Sequence, residues 1–190
     1  MKLLLHICCA PCSLYPLQEI GRDPSVMVTG YYFNPNIHPY PEYVNRRSAV
    51  ERTASEMKLS VEFPAYDPRL YFEDAGCARE RTTRCRGCWK MRLRATARHA
   101  RANGFDAFST TLLISPYQDH SALTSIGEEA AAEEKIHFYY RDFRPGFRDS
   151  QNEAARRGLY RQKYCGCIYS EMERIEQQNN HPGSSDTRKN

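Results

Sequence analysis

Seven of the eight cysteines fall into three short clusters: Cys8, Cys9 and Cys12 near the start, Cys85 and Cys88 in the middle, and Cys165 and Cys167 near the end. Thiolates two or three residues apart can share one metal or cluster, and distant segments close such a site when the chain folds. A closed four-thiolate site would leave three sulfurs over, which raises a second, open metal position beside the first.

Adjacent residues of an extended segment point in opposite directions, so Cys8 and Cys9 are expected to serve two neighbouring centres. Cys85 and Cys88 are predicted to share one face at the start of a helix, with Arg84 and Arg86 beside them. In Cys165-Gly166-Cys167 the glycine lets the backbone approach a cluster closely. Three chemistries compete. A structural zinc site needs only four ligands, and a dithiol redox pair at Cys85 and Cys88 needs no other thiols. An iron–sulfur cluster with a nearby second metal uses all seven and is the favoured reading. Cys77 lies outside the clusters and is expected to be a small buried residue.

His120, following Tyr117-Gln118-Asp119, lies just beyond a predicted strand; His120, Asp119 and Tyr117 are the candidate proton donors. His6 sits in an apolar strand and reads as a satisfied core histidine. Tyr31-Tyr32-Phe33 could stack a base, although strand aromatics usually pack.

The elements that must position these groups alternate between strand and helix. Strands are predicted at Lys2 to Cys8, Val26 to Phe33, Val61 to Tyr66, Ala107 to Leu113 and Ile136 to Tyr140. Helices are predicted from Pro11 to Ile20, Pro41 to Leu59, Cys88 to Asn103, Ser121 to Lys135 and Ile168 to Gln177, with a loop-rich segment through Gly158. That order implies an α/β fold with a parallel sheet flanked by helices, whose site lies beyond the strand C-termini, where Cys8, Cys9 and Cys12 fall. No strand leads into a glycine-rich phosphate loop, which argues against nucleoside triphosphate use.

The 190 residues, 41% hydrophobic, suit one domain over residues 1–178, followed by a polar tail at 179–190 that is expected to be disordered. The apolar start is interrupted by His6 and reads as a buried strand, not a signal. No apolar run approaches the roughly 20 residues that span a bilayer, so a cytoplasmic, thiol-reducing location without membrane contact is expected. The formal net charge is +4. Its distribution is uneven: nine basic residues from Arg79 to Arg101 oppose the single acid Glu80. On a helix, Trp89, Leu93, Ala97 and Ala100 form an apolar face, while Arg86, Lys90, Arg94, Arg98 and Arg101 form a basic stripe. Lys90, Arg94, Arg98 and Arg101 are candidate nucleic-acid contacts, and Arg141 to Lys163 is a second basic stretch.

In combination, His6-Ile7-Cys8-Cys9-Ala10-Pro11-Cys12, Tyr32-Phe33-Asn34-Pro35-Asn36-Ile37-His38, Arg84-Cys85-Arg86-Gly87-Cys88 with Arg92-Leu93, Ser109 to Pro116, and Tyr164 to Ser170 resemble the QueH-type epoxyqueuosine reductases. The resemblance implies a HUP-like fold, a [4Fe–4S] cluster, an adjacent single iron, and reduction of epoxyqueuosine to queuosine at the tRNA wobble base. All seven are expected to hold the two centres, with Cys9, Cys85, Cys88 and Cys167 expected at the cluster and Cys8, Cys12 and Cys165 near the second metal. Some relatives carry aspartate where this chain has Cys12, which leaves that division open. No flavin or nicotinamide motif is visible, so an external low-potential electron donor is expected. Two other readings remain: another iron–sulfur tRNA-modifying enzyme, such as a thiolase, and a non-catalytic zinc-stabilised RNA-binding protein.

Overall fold

A computed structural model describes residues 1–78 and 80–180. The elements run β1 (Lys2–His6), α1 (Ala10–Ile20), β2 (Met27–Tyr31), α2 (Tyr40–Met57), β3 (Val61–Glu62), α3 (Arg69–Tyr71), α4 (Arg81–Ala102), β4 (Ala107–Thr110), α5 (His120–Glu134), β5 (His137–Phe138), α6 (Phe147–Arg156) and α7 (Ile168–Asn180). A π-helical turn, Phe72–Gly76, continues α3, and a 3-10 turn, Thr111–Ile114, follows β4.

The strands form one parallel sheet in the order β3-β2-β1-β4-β5. β1 lies at its centre, and Leu3, Leu4 and Leu5 are fully buried, as the near-continuous apolar run of a strand covered on both faces requires. From β1 the chain winds outward through β2 to β3, then returns to place β4 on the other side. The crevice between the ends of β1 and β4 is therefore the switch point at which such sheets bind ligands. The register that pairs His6 with Thr110 brings Cys8 and Thr111 together just beyond it. His6 is a satisfied core residue: its Nδ1 pairs with Thr110 Oγ1 at 2.9 Å and its Nε2 with the Phe33 carbonyl at 3.1 Å.

Three local expectations are corrected. α4 begins at Arg81, not Cys88, because the Glu80 carboxylate caps it by accepting from the Thr82 and Thr83 amides; Cys85 and Cys88 thus lie beyond the uncapped amides of the first turn. β4 stops at Thr110, whose hydroxyl accepts from the Leu112 amide and turns the chain into the 3-10 segment. α6 occupies part of the segment predicted as loop. Its buried stripe is only Ser150 and Ala154, too small to register as an apolar face; it packs on α1, where the Ser150 hydroxyl donates to the Pro11 carbonyl at 2.5 Å. α7 reaches Asn180, two residues past the expected domain end, and positions 181–190 of the expected tail lie outside the described residues. No helix among the described residues is long and apolar enough to cross a membrane.

Candidate metal centre

The end of β1 and the start of α1 place three thiols together. Cys9 is extended, at φ −170°, and the chain then turns into α1 with a proline in its first turn, which carries Cys12 back over the strand end. The sulfurs of Cys8 and Cys9 lie 3.8 Å apart, and those of Cys8, Cys9 and Cys12 are all within 4.8 Å of one another. This corrects the expectation that Cys8 and Cys9 face apart: strand alternation ends where β1 does. The Cys8 amide donates to Thr111 Oγ1 at 3.0 Å, that hydroxyl donates to the Cys8 sulfur at 3.3 Å, and Gln162 Nε2 donates to the Cys9 sulfur at 3.0 Å.

α4 and the turn before α7 supply the other four thiols. Cys88 is buried and Cys167 packs in the same small cluster with Tyr71, Ala75 and Met91. Cys165 and Cys167 lie near enough that their charges act on both Cys85 and Cys88. Six of the seven clustered cysteines line one cleft of about 760 Å³, and Cys9 sits just behind it.

A thiol buried among thiols resists ionising alone. Burial pushes Cys88 up to about 12 and raises Cys85 and Cys9 as well. In the β1 group, hydrogen bonds from Cys12 and then Cys9 hold Cys8 well below the ordinary thiol range, while the bond to Cys8 raises Cys12. Burial also pushes Cys167 upward, but hydrogen bonding with Ser170 and the charge of Arg84 leave it below the usual value. Such groups lose their protons together when a cation replaces them, so this donor set, soft and close-packed, fits thiolate-held metal.

Buried arginines brace the site, and the sequence reading missed them as such. Arg46 of α2 donates through Nη1 to the Cys165 carbonyl at 2.9 Å, through Nη2 to the Tyr164 carbonyl at 3.0 Å, and through Nε to Glu42 at 2.8 Å. Tyr160 donates to the second oxygen of Glu42. Between the two thiols, Gly166 has φ +141°, and a Cβ there would crowd Arg46, Asn36 and Ile37. Its carbonyl accepts from the His38 amide at 2.8 Å. Arg84 ties α4 to α7 through Glu173 at 2.7 Å and lies over the Tyr169 ring. Arg92, fully buried on the otherwise apolar face of α4, also lines the cleft. A charged residue at core spacing was the available signal for Arg92. Burial and the charge of Arg92 hold His6 down to about 4, so it stays neutral.

The remaining sequence candidates divide. Tyr117 and Asp119 line the cleft, Tyr117 being 81% exposed and Asp119 capping α5 through the Ala122 amide. His120 is not among the cleft's described lining; its Nε2 pairs with the Tyr140 hydroxyl at 3.0 Å. Trp89, Leu93, Ala97 and Ala100 are buried, as their spacing predicts. Lys90, Arg94 and Arg98 each face an acid of α5, namely Glu129, Glu133 and Glu134, so much of the basic stripe is charge-matched; Arg101 is exposed in its last turn. Cys77 is exposed, contrary to expectation, because it ends the π-helical turn at the surface.

A family model described as "Epoxyqueuosine reductase QueH" matches residues 3–173, from β1 through the last thiol pair into α7. The chain belongs to the QueH family. A QueH of Dehalococcoides mccartyi, named epoxyqueuosine reductase, is 38% identical over 179 residues, covering 94% of this chain and 97% of that protein. One from Thermotoga maritima is 34% identical, covering 92% of each chain, and one from Histophilus somni is 35% identical, covering 89% of this chain and 72% of its own. In fold, the chain is similar to a Methanocaldococcus jannaschii protein described as a predicted subunit of tRNA methyltransferase, with a TM-score of 0.57 at 12% identity, over 95% of this chain and 88% of that one. The likeness concerns the fold alone, a parallel sheet flanked by helices. All five QueH-like motifs lie at the carboxyl edge of the sheet or in the segments that close over it.

Proposed function

We propose that this protein reduces epoxyqueuosine to queuosine at the wobble position of tRNA, using a [4Fe–4S] cluster and an adjacent mononuclear iron. The observation that carries the reading is the convergence, in a QueH-family chain, of six clustered cysteines on one cleft at the switch point of the sheet. Removing the epoxide oxygen as water and leaving an alkene takes two electrons and two protons. A thiolate-held cluster supplies low-potential electrons, and an open metal beside it supplies a Lewis acid for C–O cleavage.

The sulfur grouping supports Cys85, Cys88, Cys165 and Cys167 as the cluster ligands and Cys8, Cys9 and Cys12 as the second metal's, which moves Cys9 and Cys165 from the division expected above. Arg46 and Gly166 fix the turn that presents Cys165 and Cys167. Thr111 and Gln162 orient the Cys8 and Cys9 sulfurs by hydrogen bonds, as outer groups do around metal ligands. The Tyr117 hydroxyl and the Asp119 carboxyl, on the cleft wall, pass protons from solvent. Electrons arrive from an external low-potential donor, in the reducing cytoplasm where tRNA is modified.

The test is anaerobic purification with iron and acid-labile sulfide assays, followed by dithionite-driven turnover of epoxyqueuosine-containing tRNA and nucleoside mass spectrometry. Brown protein with about four or more irons per chain that yields queuosine supports the proposal. Colourless protein with one zinc and no sulfide would leave the zinc-stabilised RNA-binding reading in its place.

A further inference from the structure

Arg92 is one of the largest fully buried side chains in the protein, at 2% exposure, and it lines the thiol cleft. Its Nε donates to the Cys88 carbonyl at 3.2 Å, its own helix one turn back. Its buried Nη2 has no hydrogen-bond partner among the described residues, and no carboxylate there forms an ion pair with it. The other arginines deep in this region do have acids: Arg46 has Glu42 and Arg84 has Glu173. A buried cation is costly unless an anion compensates it. The groups whose charges reach Arg92 are Cys88 and Cys165 from one thiol group and Cys8 from the other. The guanidinium thus faces the cleft that both groups line, with an N–H donor left over.

We propose that Arg92 is a positioning residue: its buried guanidinium is the fixed positive charge against which the thiolate-held centre carries its electrons, and it raises that centre's reduction potential. The inference rests on the thiolate-held cluster proposed above. The physical basis is that added negative charge costs less beside a desolvated cation, and that N–H donors directed at cluster sulfur raise its potential. Lysine would keep the charge but lose the fork of donors.

The experiment is a redox titration of anaerobically purified holoprotein, wild type beside Arg92→Gln and Arg92→Lys, each with iron and sulfide counted and its fold checked by circular dichroism. The expected result is a midpoint potential more negative than wild type in Arg92→Gln and close to wild type in Arg92→Lys, at equal iron content. A loaded Arg92→Gln with an unchanged potential overturns the inference. Should Arg92→Gln fold without taking up iron, restored loading in Arg92→Lys supports the charge role, and failure of both overturns it. Wild-type protein without iron and sulfide would instead sink the cluster assignment itself, a different failure read from the first assay.

Discussion

The guanidinium of Arg46 holds the carbonyl of Cys165 at 2.9 Å, from a side chain 2% exposed on α2. The same fork reaches Tyr164, and the same guanidinium is neutralised by Glu42, so one side chain links the last thiol pair to α2.

Arg46→Ala should therefore release the Cys165–Cys167 turn and leave Glu42 buried without its partner. Breaking such a pair costs roughly 3–5 kcal/mol. The expected result is a clear drop in Tm, with iron per chain falling more than the helix content measured by circular dichroism. Iron content at the wild-type level in a stably folded Arg46→Ala would show that the turn needs no such brace.

Gly166 occupies a conformation that side chains rarely adopt, and it sits against Arg46. Gly166→Ala should cost about 1–3 kcal/mol of local strain. Because that strain is confined to the turn, reconstitution with iron and sulfide should be impaired while the thermal transition moves only modestly. Normal cluster yield from this variant would contradict the account of the turn.

The exposed Cys77 and the buried Cys88 offer a paired comparison. Cys77→Ala should change stability by less than about 0.5 kcal/mol, the usual range for surface positions, and leave iron content and turnover intact. Cys88→Ala should destroy the cluster, read as loss of acid-labile sulfide, and abolish turnover. Loss of iron in the Cys77 variant would place a ligand where no other thiol group lies.

The basic stripe on α4 makes a salt-dependence test informative. Lys90, Arg94 and Arg98 already face carboxylates on α5, so changing all three to glutamine should alter the log–log salt slope of tRNA binding by less than about one unit. A decrease approaching three units would mean that the ladder opens to receive the phosphate backbone.

The parallel sheet was legible because β1 carries the apolar run Leu3-Leu4-Leu5 and each following strand was separated from the next by helix-length sequence. The thiols were legible by spacing. What spacing could not give was their grouping: strand alternation predicts that Cys8 and Cys9 diverge, but β1 ends at His6 and the chain bends at Cys8, and a bend is decided by the whole β1–α1 connection. The basic stripe lies at the surface as its spacing predicts, but its pairing with acids was not legible, for a related reason. Its acids lie on α5, far along the chain, and only packing brings them across. Arg46 was not legible as a brace because its pairing with Glu42 is an ordinary helical spacing and its links to the last thiol pair run to backbone carbonyls, which every residue possesses.

The cleft draws its thiols from both ends of the chain, Cys8 beside β1 and Cys167 at the threshold of α7. During synthesis on the ribosome, the first three sulfurs leave the exit tunnel long before the last pair is made. Until then, Cys85 and Cys88 lack the two partners with which they are proposed to hold the cluster. On the proposed division, assembly of the cluster is thus a late step that waits for Cys165 and Cys167, and a premature stop before Cys165 would leave the central strands intact with two of the four proposed cluster ligands missing.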